Sequence, residues 1–427
     1  MILTVARGGE PRIERFWDLQ ALATEGQRQP RDLSDGEALD EGEALIRDAV
    51  KRRMISDVPL GAFLSGGIDS STIVALMQAQ SGRPVRTYSI GFTDPAYDET
   101  AAAAAVARHL GTDHTQLTVD AEQTRDVIPG LSDMYDEPFA DSSQIPTALV
   151  SAMTRKHVTV ALSGDGGDEV FAGYNRYLLG DAVRRRTACL PMFMRTGLAR
   201  GISQMPLSML SRLLSVVPDR YLPSHPGQKL HKLADILGAP NEMDIYRRLV
   251  AIWPDPALDD AAAPDAGGFI ERMQIIDSLS VLPDDMLTKV DRASMAVGLE
   301  VRVPLLDHRL VEFAWSLPRR MRVRGGEGKW LLRRILERHV PRALTSRAKT
   351  GFSLPIGDWL RGPLRDWAED LLDPSGLAQD GMLDPEPILD AWRAHLKGHR
   401  NYANQIWAVL MFQAWRRRWP TSMGTGT

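Results

Sequence analysis

Ten residues constrain this chain more than any others: Ala62-Phe63-Leu64-Ser65-Gly66-Gly67-Ile68-Asp69-Ser70-Ser71. An apolar run from Val58 to Leu64 ends in Ser-Gly-Gly-x-Asp-Ser, after which apolar residues recur at helical spacing through Thr72-Ile73-Val74-Ala75-Leu76-Met77. The pattern predicts strand, loop and helix. Gly66 and Gly67 permit a tight turn and a close backbone approach to a ligand. A helix beginning there turns free N–H groups and a positive dipole end toward an anion. Ser65, Ser70 and Ser71 add hydroxyl donors, whereas the Asp69 carboxylate repels phosphate unless a cation stands between them. The guest to expect is a phosphate group with Mg²⁺. A Gly-Ser turn capping an ordinary helix would account for a bare Gly-Gly pair. Six matched positions directly behind a buried-type strand outweigh that reading.

At 427 residues the chain has room for one large core or two ordinary ones, at roughly 100–200 residues per domain. A net charge of −4 makes no electrostatic case for nucleic acid, which points to a small-molecule ligand. One cysteine, Cys189, excludes an internal disulfide framework and a Cys-based zinc cluster, and fits a reducing compartment. No apolar run approaches the ~20 residues that span a bilayer, and the N-terminus lacks the basic-then-apolar order of a leader, so no membrane partner and a cytoplasmic location are expected.

In chain order, Ile2 to Val5 and Pro11 to Trp17 read as a hairpin about Gly8-Gly9. A lone hairpin is marginal in water and should dock on something larger. Gln20 to Gly36 is mainly polar and reads as a linker. An amphipathic helix is expected over Asp40 to Ile55, with Leu45, Ile46, Val50 and Met54 inward. Strands are expected at Val85 to Phe92, His114 to Val119 and Val158 to Leu162. An alanine-rich helix starting at Asp98-Glu99 is stopped by Gly111, and further helices lie near Thr124–Tyr135 and Pro146–Arg155. This alternation argues for a parallel sheet covered by helices, with ligands at the carboxyl ends of the strands, where Ser65, Ile90-Gly91 and Ser163-Gly164 fall. Gly180 to Ala266 reads as helical, basic and proline-broken, with Met192, Met194, Met205 and Met209 as core filler. Ile276 to Trp419 reads as helical again, and residues 421–427 as a disordered tail.

A second loop, Ser163-Gly164-Asp165-Gly166-Gly167-Asp168-Glu169, follows its strand without a gap. Its three carboxylates repel one another unless a cation is bound, and one Mg²⁺ shared with Asp69 and a pyrophosphate would serve. Another acidic turn, Asp136-Glu137-Pro138 with Asp141-Ser142-Ser143, reads equally as a rigid helix connection. A leaving pyrophosphate needs cationic partners, for which Lys289, Arg292, Lys329 and Lys349 are the candidates. Lys349 stands out because Gly351 and Pro355 place it on a loop.

The Ser65–Ser70 loop is neither a Walker loop nor a Rossmann fingerprint. It resembles the pyrophosphate loop of the ATP pyrophosphatases. Taken with Asp136-Glu137-Pro138, Asp141, Ser163 to Glu169, Glu300-Val301-Arg302-Val303-Pro304-Leu305-Leu306-Asp307 and Lys349-Thr350-Gly351-Phe352, it resembles the synthetase domain of glutamine-hydrolysing asparagine synthetases, from about Phe16 to past Trp359. The resemblance implies an α/β fold: a parallel-sheet ATP-pyrophosphatase core, like that of the adenine nucleotide alpha hydrolases, with a large helical C-terminal part. It divides the chain into the end of a glutaminase domain plus linker (1–37), the synthetase domain (38–420) and the tail (421–427). The implied reaction is adenylation of the aspartate side chain by ATP, releasing pyrophosphate, followed by attack of ammonia to give asparagine and AMP.

By the same resemblance, Ser65, Gly66, Gly67, Asp69 and Ser70 hold the pyrophosphate, and Leu64, Ile90, Ser163 and Gly164 line the nucleotide site. Asp69 and Asp168 hold Mg²⁺. Asp165 stands where many members carry glutamate and assists the intermediate or deprotonates ammonia. Lys349 steadies the acyl-adenylate and Lys329 contacts phosphate. Glu300, Arg302 and Asp307 are candidates near aspartate, or members of a structural ion-pair network. Full-length members begin with a glutaminase whose nucleophilic Cys follows the initiator Met, but here position 2 is Ile2. The ammonia is therefore expected from solution, a separate glutaminase subunit or a preceding region, and a homodimer is a further candidate assembly. Family amidotransferases of surface polysaccharides, β-lactam synthetases and peptide cyclases offer another acceptor carboxylate, and a non-catalytic nucleotide-binding relic is the reading outside enzymes.

Overall fold

The computed structural model describes residues 1–93, 100–187, 189–206, 209–210, 226–253, 267–346, 354–378 and 381–420. The front of the chain pairs β1 (Ile2–Thr4) with β2 (Arg12–Glu14) in antiparallel register, Leu3 opposite Ile13. The expected linker is partly helical: α1 (Leu19–Arg28) is capped by Asp18, which accepts from Ala21 N. Leu19 and Ala23 are buried, Gln27 Nε2 donates to Trp315 O at 2.9 Å, and Trp17 Nε1 donates to Glu312 Oε1 at 2.9 Å. The polar composition concealed this helix because a single narrow strip of it is buried. The next helix, α2 (Asp35–Arg53), starts earlier than expected because Ser34 and Glu37 form a reciprocal capping box.

The strands β3 (Leu60–Phe63), β4 (Arg86–Phe92), β5 (Asp113–Val119), β6 (Val160–Leu162) and β7 (Glu300–Arg302) make one parallel sheet in the order β5-β4-β3-β6-β7. The chain leaves β3 through α3 (Ile68–Gln78) to β4, then through α4 (Thr100–Leu110) to β5. It returns to the other side of β3 through α5 (Ala121–Asp126), α6 (Leu131–Met134) and α7 (Gln144–Arg155). Strand order therefore reverses between β3 and β6, and the crevice outside the carboxyl ends of these two neighbours is the expected ligand position. β7 was not anticipated, since Glu300-Val301-Arg302 lacks the apolar run that marks the equally short β6.

Ser70 through Met77 of α3 are all buried. The helix lies between the sheet, α2, α4 and the helix Trp330–Glu337, so it is apolar all round rather than striped. A second core joins helices of the C-terminal part through Trp359, Trp392 and Trp407, and a third gathers Tyr177, Tyr246 and Phe269. Three of the four middle-region methionines expected as core filler, Met192, Met194 and Met209, are exposed, and Met205 is half-buried. The helix Met192–Ser203 that carries the first two buries little beyond Ala199. The tail 421–427 and the helix start Asp98-Glu99 lie outside the described residues.

Glu300, Arg302 and Asp307 form the structural network. Arg302 Nη1 donates to Arg53 O at 2.9 Å and Ile55 O at 2.6 Å, and Asp307 pairs with Arg53 at 3.2 Å and Arg309 at 2.9 Å, fastening the end of α2 to the sheet edge. Hydrogen bonds from Arg309, outweighing burial and joined by Arg53, hold the Asp307 carboxyl down at about 2. A carboxyl depressed in the fold stabilises it above the unfolded value and loses that contribution as pH falls toward 2. Asp307→Asn is expected to destabilise the chain at neutral pH, by less than the full shift implies because water screens the exposed Arg309 partner. In denaturant titrations the gap from the unmodified chain should narrow below pH 4, and a gap that stays constant with pH would refute the assignment.

Candidate active site

Loop Ser65–Gly67 leaves β3 and loop Ser163–Gly166 leaves β6, and they meet at the crevice. Gly66 has φ +72°, and a Cβ there would lie 2.7 Å from Ala103 N on α4, so this glycine serves packing as well as the turn. A Cβ on Gly67 would meet Ser65 Oγ alone, at 3.2 Å, so Gly67 is the one that leaves room for a guest. Gly67 caps α3 with no side-chain bond, so the helix start is left to the backbone. Ser65 Oγ and Ser70 Oγ lie 2.9 Å apart, and Ser65 N donates to Ser70 Oγ at 3.2 Å, closing the loop on itself.

The second loop is pressed against the first. A Cβ on Gly164 would stand 2.6 Å from Ser70 N, and one on Gly167 would stand 2.7 Å from Asp69 Cγ. Gly166 has φ +84° and starts the short α8 (Gly167–Val170), which carries Asp168 and Glu169. Ser163 Oγ donates to Asp165 Oδ2 at 2.7 Å, orienting that carboxylate. Leu64 and Ile90 bury their side chains in separate core clusters, so what they offer at the sheet edge is backbone.

Asp69 and Asp168 converge on one point, which Lys329 Nζ occupies at 2.5 Å from Asp69 Oδ2 and 2.7 Å from Asp168 Oδ1. Lys329 is buried, with 4% of its surface exposed. Asp69 Oδ1 is buried as well and accepts no hydrogen bond within the chain. Among the described residues no group of three or more His, Cys, Asp or Glu side chains gathers as a metal cage. Two carboxylates with one unused buried oxygen suit Mg²⁺, which keeps waters and is held by one or two carboxylates plus substrate phosphates.

Around the two loops, Tyr174, Arg176, Tyr246, Asp277 and Asp285 had no local sequence signal. Glu169 accepts from Tyr174 Oη at 2.7 Å, and burial, with Asp168 beside it, pushes its carboxyl up to about 7 despite that bond. Behind it, Arg176 stacks 3.8 Å over the Tyr174 ring and pairs with buried Asp277 at 2.7 Å, which also accepts from Tyr246 Oη. The acidic turn supplies Asp141, paired at 2.6 Å with Lys289 and bonded to Ser143, so it is the rigid connection as well as a charge site. Burial disfavours the Lys289 ammonium, yet Asp141, Asp285 and then Asp165 outweigh it and raise the lysine. Asp285 lies in a π-helical stretch, Val281–Leu287, and burial with Asp141 nearby pushes it up to about 6. Arg292 pairs with Asp136 at the surface. Lys349 falls within residues 347–353, outside the described residues.

Fold and site together define a parallel-sheet α/β protein of the ATP-pyrophosphatase-like kind, with a glycine–serine loop and an acidic loop facing each other at the switch point. The chain belongs to the asparagine synthase family, whose model matches residues 41–417. It is similar to glutamine-hydrolysing asparagine synthetase 1 of Bacillus subtilis (strain 168), 31% identical over 375 residues that make up 87% of this chain and 58% of that protein. It is similar also to a putative glutamine-hydrolysing asparagine synthetase of Mycobacterium tuberculosis (strain ATCC 25618 / H37Rv), 33% identical over 394 residues, 90% of this chain and 58% of that one. The human glutamine-hydrolysing asparagine synthetase is 26% identical over 358 residues, 80% of this chain and 48% of its own length. The chain thus spans 58% of the length of the first two relatives. No helix among the described residues is long and apolar enough to cross a membrane.

Proposed function

We propose that this chain is an ATP-dependent carbon–nitrogen ligase that adenylates the side-chain carboxylate of L-aspartate and transfers ammonia to it, giving L-asparagine, AMP and pyrophosphate. The observation that carries the reading is the meeting of the Ser65–Ser70 loop with Asp168 and Lys329 at the reversal of strand order, in a chain of this family. In the first step an aspartate carboxylate oxygen bonds to the α-phosphorus, the bond from that phosphorus to the bridging oxygen breaks, and pyrophosphate leaves with the electron pair. Ser65, Ser70 and the α3 N–H groups receive the leaving phosphates. Mg²⁺, held by Asp69 and Asp168, would supply neutralisation of the charge that builds up there. In the second step the ammonia lone pair attacks the acyl carbon and the bond to AMP oxygen breaks. Asp165, held by Ser163, takes the proton the nitrogen must lose. Lys349 is assigned, by family resemblance, to steady the acyl-adenylate.

The purified chain with ATP, Mg²⁺, aspartate and ammonium is expected to release pyrophosphate and form asparagine in equal amounts, measured by coupled phosphate assay and amino-acid chromatography. Pyrophosphate release indifferent to aspartate would reject aspartate in favour of another carboxylate acceptor. ATP–Mg²⁺ binding without pyrophosphate release under any acceptor would mark a relic.

A further inference from the structure

The backbone of Lys329 is held in place on both sides. Its φ is +57°, and the facing Ala172 has φ +56°; among the described residues these are the two non-glycine positions in the left-handed region. Such strain persists where the surroundings over-determine it, and the surroundings here do. Lys329 N donates to Phe171 O at 2.9 Å and Trp330 N to Arg322 O at 3.0 Å, pinning the turn on both sides. Gly328 lies against the Ala172 carbonyl and Gly173 against the Lys329 side chain, and a Cβ at either would overlap its neighbour, with Lys329 Cε the obstacle at 173. The result threads the lysine stem past Gly173 and delivers its ammonium between Asp69 and Asp168. One oxygen of each carboxylate is therefore paired with a cation that belongs to the chain.

We propose that Lys329 is the resident counter-ion of the Asp69–Asp168 pair. It keeps the two loops together while no nucleotide is present, and it occupies the point on which a divalent cation would bind. Metal alone is excluded, because the ammonium and a divalent ion repel each other at this separation. The phosphates of an entering nucleotide supply the new anionic partner that lets the ammonium move over to them as the metal takes the carboxylates. Metal and nucleotide then enter together, and no metal is held in an empty site. This inference rests on the assignment of Asp69 and Asp168 as metal ligands, and not on the identity of the acceptor.

The test uses divalent metal without nucleotide. Free Mn²⁺ is measured by electron paramagnetic resonance, and melting temperature is followed as Mg²⁺ is added, for the full chain and for Lys329→Met, Lys329→Gln and Lys329→Arg. Removing a positive charge from the metal's own position should tighten Mn²⁺ binding by at least about tenfold in Lys329→Met. Its melting temperature should rise with Mg²⁺ while that of the unmodified chain stays flat. Lys329→Gln, which keeps polar atoms in the slot, should behave like Lys329→Met and serves if the methionine variant does not fold. Lys329→Arg keeps the charge and should gain nothing. Adding Asp69→Asn to the neutral variant should remove the gained metal binding. Equal Mn²⁺ affinity with and without the Lys329 charge, or a gain that survives Asp69→Asn, would overturn the proposal. A chain that releases no pyrophosphate would fail the proposed function and leave this metal-only measurement intact.

Discussion

Asp69→Ala is expected to reduce pyrophosphate release by at least roughly a thousand-fold, since a metal stabilising transition-state charge contributes several kcal/mol. The carboxylate stands at the first turn of α3, one oxygen on Lys329 and the other buried without a hydrogen bond. Its removal takes away half of the paired carboxylates and leaves Lys329 with Asp168 alone. The expected signature is a lost kcat with the fold retained, because the remaining Lys329–Asp168 pair is still neutral as a pair. Asp69→Asn should be nearly as inactive, having the shape without the charge. Turnover within tenfold of the unmodified chain in either variant, measured by pyrophosphate release under saturating ATP, would remove Asp69 from the chemistry.

Gly164→Ala is expected to damage both stability and activity through one methyl group. The obstacle is Ser70 N at 2.6 Å and the Asp69 carbonyl carbon at 2.8 Å, which are backbone atoms of α3 and cannot turn aside as a side chain would. The two loops must separate, at about 1–3 kcal/mol for overpacking of this kind. A shift of about 1 Å between reacting groups lowers kcat by about a hundredfold. Gly67→Ala is the contrast: at φ −75° alanine fits the backbone, and its methyl meets Ser65 Oγ alone. It should melt within a degree or two of the unmodified chain and show its effect as a raised KM for ATP. Gly164→Ala melting and turning over normally would show that the loops are not in contact as described.

Much of the site was legible because its residues are contiguous. Ser65 to Ser70 and Ser163 to Glu169 announce themselves by dense glycine, hydroxyl and carboxylate behind short apolar runs, and both fall at strand ends as expected. Helix α7 and the strands β4 and β5 follow from patterning over their length, and α3 from an unbroken apolar run directly behind the glycine loop. The reading failed where a helix buries few positions or a strand lacks an apolar run: α1 looked like a linker, β7 was missed, and the exposed methionines of Met192–Ser203 looked like core. Tyr174, Arg176 and Asp277, which stand behind the acidic loop, come from distant segments and carry no local mark.

The sequence by itself determined where the two loops fall and the family, since backbone freedom at glycine, hydroxyl donors and carboxylate charge are properties of neighbouring residues. The tertiary structure decided that β6 returns beside β3 rather than beside β5, which alone brings Asp168 to Asp69. It also decided that Lys329 reaches that pair from a turn 260 residues beyond Asp69. No local propensity encodes either outcome. Both follow from burying α3 on every side and from the attraction of one ammonium for two carboxylates held away from water.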